Sequence, residues 1–110
     1  MQIDKKDHYT YISSNETTFE EFYKAFLKKV SEFEKEHVVL HISDNINIAT
    51  KDFLLFLNIA EQKNNNGTSF VIINSTVNVD ELPEHLNIVP TLIEAEDILD
   101  MENIERELGF

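Results

Sequence analysis

Two apolar runs constrain the fold of this chain more than any other feature: Val38-Val39-Leu40-His41-Ile42 and Ser69-Phe70-Val71-Ile72-Ile73-Asn74. Neither alternates between apolar and polar positions, so neither suits a sheet with one face in water. Short runs of this kind fit strands buried on both faces, which belong to parallel sheets covered by helices. The segments around the runs have the spacing to supply those helices. The chain therefore predicts an α/β domain.

The first helix carries the clearest signal. Thr17 with Glu20, and Thr18 with Glu21, stand in capping-box spacing, where a hydroxyl satisfies a free backbone amide. Phe19, Phe22, Tyr23, Phe26, Leu27, Val30 and Phe33 then follow along one helical stripe. After the first apolar run, Ser43-Asp44-Asn45 marks a loop. Thr50 is placed as the N-cap of a second helix, with Asp52 in its first turn. Its buried side is expected to hold Phe53, Leu54, Phe56, Leu57 and Ala60, and Gly67 ends it in the left-handed conformation. Asn78 begins a short helix limited by Pro83, and Leu86-Asn87-Ile88-Val89 reads as a brief strand. Thr91 and Glu94 open the last helix, expected to bend before Ile104 and to stop at Gly109.

At the other end, His8 to Ser13 is rich in aromatic and β-branched residues and reads as a strand. Met1 to Asp4 is its expected hairpin partner across Lys5-Lys6-Asp7. The whole is one domain over 1–110: an N-terminal β-hairpin, then alternating helices and strands. A mixed, mostly parallel sheet of about four to five strands with about four helices is expected.

Composition narrows the function. Cysteine is absent, which removes disulfides, thiol catalysis and thiolate metal sites together. The four histidines, His8, His37, His41 and His85, form no recognised metal-binding spacing. The only glycines, Gly67 and Gly109, read as helix ends, so no phosphate-cradling loop is present. No serine stands in a nucleophile elbow. No metal, cofactor or catalytic residue is expected. A net charge of −12 opposes binding to phosphate backbones and anionic lipids, and from Asp80 onward only Arg106 balances a series of carboxylates. The start of the chain has no apolar leader core, and no apolar run is long enough to span a bilayer, so a cytoplasmic protein is expected.

The order of segments resembles a STAS domain, the small α/β module of bacterial anti-sigma-factor antagonists and of sulfate-transporter tails. The resemblance rests on residues 38–43 as the central strand, 46–53 as a loop and helix start, 67–74 as the next strand, and Ile88-Val89-Pro90-Thr91 with Glu94-Ala95 as the turn into the last helix. It implies a STAS-like fold and a regulatory partner, such as a kinase-like anti-sigma factor. In the antagonists the second helix opens with Asp-Ser-Ser-Gly and an aliphatic residue, the second serine being phosphorylated. Here those positions hold Ala49, Thr50, Lys51, Asp52 and Phe53. The motif is degenerate, and Thr50 is the candidate phosphorylation position that remains.

The stretch from Pro90 to Phe110 also resembles small proteins of Bacteroidetes, some encoded beside, or labelled as, ribonuclease Z. The His-x-His-x-Asp-His zinc motif of that enzyme is missing here. The second resemblance implies at most an acidic accessory protein of an RNA-processing enzyme. A third alternative is a small-ligand-binding STAS domain. The sequence thus predicts a non-catalytic protein-interaction module. Its expected partner surface is the loop and helix start around Asp44, Ile46, Ile48, Thr50, Lys51 and Phe53, with the three apolar members forming a partly exposed patch.

Overall fold

The computed structural model describes residues 1–109. Phe110, the last residue of the stretch compared above, lies outside them. The order is β1 (Gln2–Lys5), β2 (Thr10–Ser13), α1 (Phe19–Lys29), a 3-10 extension (Val30–Phe33) and β3 (Val38–His41). A second 3-10 segment (Thr50–Phe56), α2 (Leu57–Asn65), β4 (Phe70–Ile73), a 3-10 turn (Val79–Glu81), β5 (Asn87–Val89) and α3 (Leu92–Glu107) follow.

The strands form one sheet in chain order, β1-β2-β3-β4-β5. β1 pairs antiparallel with β2, with Ile3 opposite Ile12. The other pairings are parallel, aligning Ile12, Leu40, Ile72 and Ile88 across the sheet.

The apolar runs are continuous because the sheet is covered on both sides. Val38, Leu40, Phe70 and Ile72 face one core with the phenylalanines of α1 and the 50–56 segment. Val39, Val71 and Ile73 face a second, smaller core closed by Ala95 and Leu99 of α3. Phe56 is central to the larger core, its ring 5.6 Å from Tyr23, 5.8 Å from Phe26 and 6.1 Å from both Phe19 and Phe70.

Local sequence explains the helix ends. The Thr18 hydroxyl accepts from the Glu21 amide at 3.2 Å, and Thr91 accepts from Glu94 at 3.3 Å. Gly67 has φ +77°, the left-handed value that closes α2.

Two expectations need correction. There are three α-helices among the described residues, not four, because the 78–82 segment is only a 3-10 turn. Leu82, just before Pro83, is extended (φ −117°, ψ 156°), as the proline ring requires of its predecessor. α3 runs continuously from Leu92 to Glu107 and so includes Ile104, as expected. Leu27 is exposed at the edge of the α1 stripe rather than in the core.

Candidate functional site

The carboxyl ends of β2 and β3 bring together Ser13, Ser14, His41, Ser43, Asp44 and Asn45 around a cleft of about 490 Å³. Polar residues gather here because each parallel strand leaves the sheet and its backbone groups need partners. The Ser14 hydroxyl accepts from the Ser43 amide at 2.8 Å. Buried Asn74 donates to the Ile42 carbonyl at 3.1 Å and accepts from the amide and hydroxyl of Thr76. Asp44 accepts from both the hydroxyl and the amide of Ser75, and these bonds hold its carboxyl below the usual carboxylate range. The Tyr11 hydroxyl bonds His41 Nδ1, and burial, with Asp4 adding to it, keeps that phenol protonated above its ordinary range. The hydroxyls of Ser14, Ser43 and Ser75 thus serve backbone amides or Asp44.

The loop from Ser43 to Ala49 leads into the 3-10 segment. Ile46 donates to the Ser43 carbonyl at 3.1 Å in a tight turn. Ala49, not Thr50, is the N-cap: its backbone is extended, and its amide donates to the Asp52 carboxylate at 3.0 Å. Thr50 is the first residue of the 3-10 segment and is half-buried, while Asp44 and Lys51 are exposed. Ile46 and Phe53 are buried, and Ile48 packs half-buried against the same core. The expected apolar patch of Ile46, Ile48 and Phe53 is therefore part of the core, because the loop folds inward to close it.

The 3-10 winding exposes different apolar residues. At three residues per turn Thr50, Phe53 and Phe56 stack on one side, whereas an α-helix would also have turned Leu54 inward. Leu54 is 42% exposed and Leu55 is 46% exposed. Leu54, expected on the buried side, faces out for this reason. A change of helical period over these seven residues left no mark in the hydrophobic pattern. The adjoining Tyr23 donates to the Leu55 carbonyl at 3.5 Å, linking this surface to α1.

At the opposite end of the strands lies a polar cluster that sequence reasoning missed. Lys63 of α2 is only 3% exposed, and its ammonium donates to the carbonyls of Phe33 and Glu36 where the 3-10 extension of α1 ends. Burial pulls its pKa down to about 8, with Glu36 and Glu34 acting in the other direction. Beside it, His37 Nδ1 accepts from the Ser69 amide at 2.9 Å, and burial, with Arg106 and Lys63, keeps this imidazole below its usual range. Ser69 in turn donates to Glu102 and accepts from Arg106. These side chains satisfy one another and the backbone, so they tie α2 and α3 to the starts of the strands.

No group of three or more acidic or histidine side chains suited to a metal ion occurs among the described residues. No helix among them is long and apolar enough to cross a membrane. No protein-family model matches the chain, and no curated protein matches it in sequence.

Proposed function

We propose that the chain is a regulatory protein-interaction module of the STAS type, binding a partner protein through the 43–49 loop and the 3-10 segment. The observation that carries the reading is the exposure of Leu54 and Leu55 beside Thr50 and Lys51, in a segment anchored by buried Phe53 and Phe56. Adjacent exposed leucines on a firmly anchored segment give an apolar patch that a partner can cover. The sequential strand order supports the reading, with helices on one face and the last helix on the other, as does the place of Thr50 at the helix start. By the same resemblance the partner is a kinase-like anti-sigma factor. A phosphate on Thr50 would put a dianion at the start of the same segment and oppose docking.

The test is affinity capture from the native lysate with three baits: wild type, Leu54→Ser/Leu55→Ser, and Thr50→Glu. A partner held by wild type and lost from both variants, with unchanged thermal melts, is the expected result. Retention of that partner by both variants would refute the docking surface.

A further inference from the structure

Among the described residues α3 is the only helix over its face of the sheet, and it covers β4 and β5. Its inner side is fixed by Ala95 and Leu99 in the core and by Glu102 and Arg106 on Ser69. Its outer side is not that of a solvated helix. Ile93 is 73% exposed, and Met101 and Ile104 are more than half exposed on the same outward side. Residues 93, 97, 100, 101 and 104 fall on one face at 3.6 residues per turn, interleaving apolar side chains with Asp97 and Asp100.

Between this face and the start of β2 runs a groove of about 550 Å³, lined by Tyr9, Ile93, Glu96, Asp97, Leu99 and Asp100 among others. Tyr9 donates to Glu96 at 3.0 Å, so one wall is braced against the other. The groove is lined mainly by polar and acidic side chains, with Ile93 and Leu99 as its apolar members. Among the described residues Glu96, Asp97 and Asp100 have no cationic partner within ion-pair distance, whereas Glu102 has Arg106.

We infer that the α3 groove is a second docking site, and that its occupant is a basic amphipathic segment of another protein. The apolar side of such a segment would cover Ile93 in the groove, and its Lys and Arg side chains would meet Glu96, Asp97 and Asp100. Charge decides the occupant. A second copy in a two-fold arrangement would set this carboxylate-bearing face against the same face of its partner, in a protein of net charge −12. Anionic lipid and nucleic acid are opposed by the same carboxylates. The site lies across the sheet from Leu54 and Leu55 and is independent of the surface proposed there.

The experiment uses the full chain and two fluorescent Leu/Lys peptides of identical composition, one with helical amphipathic order and one scrambled. Binding is followed by anisotropy at about 0.15 M salt. The expected result is that the amphipathic peptide binds about tenfold or more tightly than the scrambled one. Ile93→Ser/Ile104→Ser should erase that difference, and Asp97→Asn/Asp100→Asn should weaken binding and flatten its salt dependence. Both pairs are exposed, so thermal melts should not move. Equal affinity for the two peptides would overturn the inference. So would loss of binding in Leu54→Ser/Leu55→Ser but not in the α3 variants. Concentration-dependent dimerisation abolished by Ile93→Ser/Ile104→Ser would replace the partner segment with a second copy.

Discussion

Replacing Lys63 by methionine tests how a buried ammonium sets the pH response of this fold. The folded pKa is about 8 and the unfolded lysine value is 10.5. Between them the unfolded chain holds a proton that the folded chain has released, so stability rises with pH across that interval. The full difference corresponds to about 3 kcal/mol, and about 2 kcal/mol of it should be recovered between roughly pH 7.5 and 9.5. The two carbonyl bonds explain why the site retains a lysine at all, since a charged donor contributes about 1.5–3 kcal/mol at each. Lys63→Met loses those bonds and also removes the burial cost, so its stability at neutral pH changes by less than either term alone. The pH slope is the decisive quantity. Urea unfolding at three or more pH values should show wild type becoming more stable toward pH 9.5 while Lys63→Met stays level. A wild type that is flat over this range, or a variant that rises in parallel, would refute the assignment of the slope to Lys63.

Further outcomes follow from the same packing. Phe56→Ala should lower the urea-unfolding free energy by about 3–5 kcal/mol, because the ring is fully buried among Phe19, Tyr23, Phe26 and Phe70. Gly67→Ala should cost about 1 kcal/mol in the same assay, from the left-handed backbone alone, since nothing lies within 4 Å of the added methyl group. Tyr9 has its pKa raised to about 12 by burial and by its bond to Glu96. Ultraviolet titration should show one phenol fewer ionising near pH 10 than in Tyr9→Phe plus one free tyrosine. Because the unfolded phenol loses its proton first, this group makes stability fall as pH rises above about 10.

Much of the architecture was legible in the sequence because local physics writes it there. The two apolar runs required coverage on both sides. Thr18 and Thr91 announced their helices through the spacing to Glu21 and Glu94, and Gly67 announced an ending. Around the candidate site the same rules failed in an instructive way. Ile46, Ile48 and Phe53 read as an apolar patch, and burial of a loop cannot be inferred from the residues of the loop alone. Leu54 read as core because its period was taken as 3.6, and the shift to a 3-10 period depends on how Phe53 and Phe56 lock against α1 and β4.

Sequence by itself determined an α/β chain of buried strands and capped helices, a strongly negative net charge, and a junction at residues 46–53 between a buried strand and the next helical segment. Tertiary structure decided what each of those surfaces presents. It turned Leu54 and Leu55 outward, buried the Lys63 ammonium on two carbonyls, and left Ile93 in a groove with three carboxylates, Glu96, Asp97 and Asp100. The physical reason is the range of the interactions. Capping and periodicity act over a few residues, whereas burial is set by segments that meet only after the whole sheet has formed.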